Sequence, residues 1–222
     1  MKASVVVFPG TNRERDMSVA LTQAGFSVDL VWHQETNIPQ KTDILVLPGG
    51  FAHGDYLRPG AMAAHSAIMR DAISKAREGM PVFGVCNGFQ ILLETGLLPG
   101  SLRRNHHGRF VCQNVTLRTE NSCCVLTQNI PNSSILSVPV AHHDGCFDID
   151  HIGLQKLHDQ GRIVFRYEGL NPNGSIEDIA GICSENGRIL GMMPHPEDHV
   201  LPKQGNTDGI MIFEAFANMF RG

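Results

Sequence analysis

The stretch Met80-Pro-Val-Phe-Gly-Val-Cys-Asn-Gly-Phe-Gln-Ile-Leu-Leu-Glu94 decides how this chain is read. Pro81 to Val85 is a short apolar run of the kind that forms a buried strand. It stops at Cys86, and Asn87-Gly88 then opens an amphipathic helix through Gln90, Ile91, Leu92 and Leu93. A strand that turns sharply into a helix at Gly-x-Cys-x-Gly lifts its nucleophile above the sheet edge. There the helix N-terminus favours an anion and offers amide donors to an oxyanion. Free cysteine also packs well as an inert core residue. Glycines at both Gly84 and Gly88 turn the reading toward a nucleophile.

The flanking chain tells where this elbow sits. Ala3 to Phe8 is a hydrophobic run suited to a central strand, closed by Pro9-Gly10-Thr11-Asn12. A helix is expected from about Arg13, with Met17, Ala20, Leu21 and Ala24 at helical spacing and Gly25 as its stop. Val28 to Trp32 and Ile44 to Leu47 read as strands, the latter ending at Pro48-Gly49-Gly50. The loop Phe51 to Gly60 leads to a single expected helix from about Ala61 to Glu78, capped by Gly79. This alternation predicts an α/β fold with a doubly wound, mostly parallel sheet, whose ligands bind at the carboxyl ends of its strands. Pro9, Pro48 and Cys86 all stand at such ends. After Gly100 shorter strands follow, over 110–118, 135–141, 162–167, 179–183 and 188–193, with turn signals at Asn171-Pro-Asn-Gly and Glu185-Asn-Gly. These antiparallel strands are expected to extend or flank the parallel sheet. Gly209 to Phe220 reads as a closing helix with Ile210, Phe213, Phe216, Ala217 and Phe220 at core spacing. With no repeat or linker, 1–222 reads as one domain.

Composition narrows the function classes. A chain of 222 residues with 42% hydrophobic and 18% charged residues is ordinary for a globular α/β domain. A net charge of −4 leaves no basic footprint for nucleic acid or an anionic membrane. The apolar run at Met1 to Gly10 is too short for a signal peptide, and no stretch reaches a membrane span, so the chain is expected to be cytosolic. Its six cysteines, Cys86, Cys112, Cys123, Cys124, Cys146 and Cys183, form no Cys-x-x-Cys pair, which disfavours a thiolate zinc site and a disulfide framework. Most of these read as reduced packing residues. Eleven histidines include His106-His107 and His142-His143, but neighbours on a strand point to opposite faces, so no metal site is expected.

A cysteine nucleophile needs a base held by a third group. Met193-Pro194-His195-Pro196-Glu197, at the end of the strand over 188–193, offers one. Its two prolines favour an extended segment in which residues two apart share a side, so Glu197 is expected to reach His195 and fix its tautomer. Leu47-Pro48-Gly49-Gly50-Phe51 supplies the third element, since paired glycines let backbone amides approach a site without a blocking Cβ. An amide there, with that of Asn87, would make an oxyanion hole. No Gly-Lys-Ser/Thr follows, so a nucleotide P-loop is not expected.

These residues together resemble a class I, Cys-His-Glu triad glutamine amidotransferase. More narrowly, the chain is similar to the glutaminase subunits of phosphoribosylformylglycinamidine synthase, from de novo purine biosynthesis. The match lies in Phe8-Pro-Gly-Thr-Asn12, Leu47-Pro-Gly-Gly-Phe-Ala-His-Gly-Asp-Tyr-Leu-Arg58, Gly84-Val-Cys-Asn-Gly-Phe-Gln90, Gly96-Leu-Leu-Pro-Gly100 and Met193-Pro-His-Pro-Glu197. The resemblance implies a flavodoxin-like sheet and a nucleophilic Cys86 that attacks the glutamine side-chain amide. His195 would protonate ammonia and then activate water, and Glu197 would orient it. Gly49, Gly50 and Asn87 would shape the oxyanion site, and Gln90 would lie against glutamine. No cofactor is implied for this chain. ATP and Mg are implied for a separate synthetase subunit, which with a small accessory subunit would be its partner.

The sequence departs from the family at His142-His143-Asp144-Gly145, where His-Gly-Glu-Gly is commoner, at Pro59, often Cys, and at Asp198, often basic. Rival readings are a glutaminase serving another acceptor, a cysteine hydrolase of related fold, and an inactive module. The last two fit poorly with a His-Pro-Glu after a C-terminal strand.

Overall fold

In the computed structural model, which describes residues 1–221, the elements run in the expected alternation. In chain order these are β1 (Lys2–Val7), α1 (Glu14–Gln23), β2 (Ser27–Trp32), β3 (Ile44–Leu47), α2 (Ala61–Ala64), α3 (Ala67–Arg77), β4 (Val82–Val85) and α4 (Asn87–Glu94). Then come β5 (Ser101–Arg103), β6 (Val111–Thr119), β7 (Ile135–His142), β8 (Cys146–Asp148), α5 (His151–Asp159), β9 (Ile163–Tyr167), β10 (Ile179–Cys183), β11 (Ile189–Met192) and α6 (Ile210–Arg221).

One sheet dominates, in the order β2-β1-β3-β4-β11-β10-β9-β6-β7. Its first five strands pair in parallel, β1 with β2 and β3, and β4 with β3 and β11. The rest join antiparallel beyond β11, so they extend the parallel sheet instead of forming a separate layer. Strands β3, β4 and β11 are buried along their whole length, as central strands covered on both faces must be. Successive residues of β4 show the two faces. Phe83 packs edge-on against Phe213 and Phe216 of α6, while Gly84 faces Leu92 and Gly88 of α4. The carboxyl ends of β1, β3, β4 and β11 therefore open on one edge, and every sequence-predicted site residue lies there or just beyond.

The expected single helix over 61–78 is interrupted. It breaks at His65-Ser66, where Ser66 is extended (φ −65°, ψ 159°) and the Ile68 N–H reaches back to the His33 carbonyl at 3.3 Å. Ser66 is a residue type that competes with helix for its own backbone, and the alanines around it hide the break. The β5–β8 ribbon and α5 are additions that apolar pattern does not reveal. Helix α5 fully buries only Leu157, carries Gly153, and starts at Asp150, whose Oδ1 accepts the Gly153 N–H at 2.6 Å. Among the described residues no helix is long and apolar enough to cross a membrane.

Candidate active site

Cys86 sits at the β4–α4 elbow with φ 50° and ψ −104°, a left-handed backbone that a side chain adopts only under constraint. The constraint is visible on both sides. Its N–H donates to the Met192 carbonyl of β11 at 2.8 Å, and its carbonyl accepts from Gln90 N at 3.0 Å. The flanking glycines let α4 lie directly on the sheet. A Cβ on Gly84 would stand 2.8 Å from the Gly88 carbonyl group, and one on Gly88 would overlap the Leu47 carbonyl of β3. The thiol, 6% exposed, faces a cleft of about 260 Å³.

His195 and Glu197 lie in that cleft wall and beneath it, buried to 2% and 0% exposure. The segment is not extended as expected: Pro196–Asp198 forms a turn of 3₁₀ helix, closed by Asp198 N to the His195 carbonyl at 3.3 Å. The turn still brings the pair together, because His195 keeps non-helical backbone angles and is anchored by its N–H on the Pro139 carbonyl at 2.8 Å. His195 Nδ1–H donates to Glu197 Oε1 at 2.7 Å, which leaves Nε2 as the proton-exchanging nitrogen. Among the described residues Nε2 has no hydrogen-bond partner, although it is buried. Burial works to discharge the ring, but the Glu197 carboxylate and then Cys86 outweigh it and hold the imidazolium well above the usual histidine range. A Cβ on Gly49 would fall 2.6 Å from His195 Cε1, so this glycine makes room for the imidazole and does not itself line the cleft.

Gly50 does line it. Its backbone (φ 154°) is wedged against the β1 loop, where a Cβ would stand 2.7 Å from Thr11 Cα. Phe51 N and Asn12 N bond to the Gly10 and Gly49 carbonyls at 2.9 and 3.4 Å, while among the described residues the Gly50 N–H takes no acceptor. The Asn87 N–H lies in the first turn of α4, where helix geometry provides no acceptor. Two amides at the cleft are thus free to hold an anion. The Asn87 side chain accepts from Ala52 N at 3.1 Å and donates to Gln90 Oε1 at 2.9 Å. Gln90 Nε2 in turn donates to the Asp144 carbonyl at 2.9 Å. Gln90 borders the cleft, yet its amide is committed to protein, so it braces the walls as well as touching the space.

Further residues, none of them assigned a role from sequence, complete the cleft: Asn12, Arg13, Asp55, Phe110, Cys112, Ala141, His142, His143 and Asp144. Cys112 is exposed there and Cys123 is exposed elsewhere, while Cys124, Cys146 and Cys183 are buried. His142 belongs to a buried network. Its Nδ1–H donates to Asn105 Oδ1 at 3.0 Å, and Asn173 Nδ2 stands 3.4 Å from Nε2. Asn173 also bonds the Gly145 carbonyl at 2.8 Å and the Tyr167 hydroxyl at 3.2 Å. Burial, then the charge of His195, pushes His142 down to about 4, so it is neutral beside a charged neighbour. Burial, then Asp144, pushes Asp55 up to about 6. The Asp198 carboxylate, raised by burial and by Glu197, draws in Arg13, whose Nη2 lies 3.3 Å away. His53 stacks edge-on against His33, and Arg58 forks onto Glu94 at 2.7 and 2.6 Å. Among the described residues no group of three His, Cys, Asp or Glu side chains is placed to hold a metal.

The model of the CobB/CobQ-like glutamine amidotransferase domain matches residues 1–221. The chain belongs to this glutamine amidotransferase family. Two relatives of the amidotransferase carry the name phosphoribosylformylglycinamidine synthase subunit PurQ. The protein from Ruegeria sp. (strain TM1040) is 50% identical over 219 residues, 99% of this chain and 98% of that protein. The one from Brucella suis biovar 1 (strain 1330) is 49% identical over 215 residues, 96% of each. Among solved structures, a chain of PurLQS from Thermotoga maritima superposes with a TM-score of 0.89 at 38% identity, covering 99% of this chain and 98% of that one. The glutaminase domain of Trypanosoma brucei CTPS, with bound acivicin, has a TM-score of 0.63 at 15% identity over 98% and 94%, a likeness of fold alone.

Proposed function

We propose that this amidotransferase hydrolyses glutamine through a Cys86 thioester and serves as the glutaminase subunit of phosphoribosylformylglycinamidine synthase. The observation that carries the chemistry is the strained Cys86 elbow sharing one cleft with a buried His195–Glu197 pair joined at 2.7 Å. Cys86 Sγ attacks the carboxamide carbon, and the oxygen takes up negative charge against the Gly50 and Asn87 amides. His195 Nε2 gives its proton to the departing ammonia and the thioester forms. His195 then takes a proton from water, which attacks the thioester and releases glutamate. Glu197 keeps Nε2 directed at the reaction and offsets the imidazolium charge.

The ammonia passes to a synthetase subunit, the PurL component implied by the relatives' names and the Thermotoga complex, with a small third subunit completing the assembly. ATP and Mg belong to that subunit, and this chain works without a resident cofactor in the cytoplasm. The test is Cys86→Ala in the reconstituted complex. Glutamine-dependent amidation should fall by several orders of magnitude while ammonia-dependent amidation persists. Equal loss with both nitrogen sources would refute a role confined to nitrogen release.

A further inference from the structure

Two carboxylates in the cleft, Asp55 and Asp144, take no part in the hydrolysis just described. They come from different places, Asp55 from the loop after β3 and Asp144 from the segment after β7. One relay ties both loops to the first turn of α4. Ala52 N–H donates to Asn87 Oδ1, Asn87 Nδ2 to Gln90 Oε1, and Gln90 Nε2 to the Asp144 carbonyl, at 3.1, 2.9 and 2.9 Å. Asn87 and Gln90 belong to the helix that starts at Cys86, so the relay fixes both acidic loops to the nucleophile's own helix, and both acids line the same cleft as the thiol. A glutamine whose carboxamide sits at Cys86 carries its ammonium at the other end of its own side chain.

Among the described residues no Lys or Arg side chain pairs with either acid. Among the described residues Asp55 forms no ion pair, and its Oδ1 is buried without a hydrogen-bond partner. Asp144 has His143, at 3.9 Å. The upward push on Asp55, from burial and then from Asp144, is how a carboxylate responds beside a second carboxylate when no cation pairs with it. The same cleft holds an independent sign of a ligand in His195, 2% exposed, with Nε2 unpartnered.

We infer that Asp55 and Asp144 recognise the α-ammonium group of glutamine and so select an amino-acid amide over amides that lack the amine. This rests on the glutaminase reading above. The test uses the assembled complex carrying Asp55→Asn or Asp144→Asn. Each is assayed with glutamine, with 4-carbamoylbutanoate, which is glutamine without its amine, and by iodoacetamide labelling of Cys86. A charge-assisted contact of this kind predicts a KM for glutamine raised about 10- to 100-fold, with kcat falling far less. Preference for glutamine over 4-carbamoylbutanoate should fall by the same factor, while labelling of Cys86 is unchanged. Unaltered preference in both variants would overturn the assignment, as would parallel losses of kcat and labelling, which indicate a structural role. Should one variant fail to fold, the preference ratio of the other decides. A wild-type complex unable to hydrolyse glutamine overturns the glutaminase reading and this assignment with it. A wild type that hydrolyses glutamine beside variants that keep its preference overturns this assignment alone.

Discussion

Replacing Glu197 by Gln keeps the shape of the side chain and removes its charge, which isolates what the carboxylate does for His195. The bond to be weakened is a buried, charge-assisted contact of 2.7 Å between groups exposed by 3% and 0%. Such a bond contributes about 1.5–3 kcal/mol more than a lost contact would. A second cost follows from the other oxygen. Glu197 Oε2 is buried with no partner among the described residues, so the new amide nitrogen placed there is an unsatisfied donor, worth about 1–3 kcal/mol. Turning the amide over puts that nitrogen on Nδ1 and selects the wrong tautomer. Together these predict a fall in glutamine turnover of about 10²- to 10⁴-fold in the assembled complex. His195→Ala, which loses both proton transfers, should fall further, by about 10⁴-fold or more. Glu197 is the foremost influence raising His195 against burial, so the variant's imidazolium should lose its proton at lower pH than the wild type's. Nitrogen chemical shifts of the His195 ring, followed against pH, would record this. Turnover within a few-fold of wild type, or an unmoved titration, would place the orienting group elsewhere.

Other outcomes follow from the same contacts. Gly88→Ala drives a methyl group into the Leu47 carbonyl, so urea unfolding should show a loss of about 3 kcal/mol or more, with activity lost through displacement of Cys86. His142, held down to about 4 against an ordinary 6.5, contributes stability that is fully present above about pH 6.5 and lost as pH falls toward 4, because the unfolded chain takes a proton that the folded site refuses. Asp55, pushed up to about 6, works in the opposite sense over the same window, so the prediction is a difference: the pH dependence of wild type minus that of a folded His142→Asn variant should amount to about 3 kcal/mol of loss. His195, shifted the other way, adds no slope there, since its contribution is complete below 6.5. The isolated chain should be a poor glutaminase, with turnover rising at least about tenfold on assembly. The loop between Gly50 and Gly60 holds His53, Asp55 and Leu57 in left-handed backbone and leaves Tyr56 and Leu57 exposed, a strained segment on which docking can act. Full steady-state activity from the lone chain would remove that role.

By itself, the sequence determined the elements whose residues meet through the chain's local geometry. The apolar runs of β1, β3 and β4 read directly as buried strands, and Gly84-Val-Cys-Asn-Gly88 read as an elbow because both glycines are needed where helix and strand backbones nearly touch. His195 and Glu197, two residues apart, are legible as a pair, although a turn and not an extended segment joins them. Tertiary structure alone decided what depends on distant segments sharing one edge of the sheet. Parallel pairing of β4 with β11 carries Cys86 and His195 to the same end, though more than a hundred residues separate them. The charges of Asp55 and His142 are set by burial and then by Asp144 and His195, neighbours that no stretch of sequence shows. That Gly49 must be a glycine to clear the His195 imidazole is likewise visible only in the folded chain. No local pattern can encode these relations, because each is a distance between segments that only the closed sheet brings into contact.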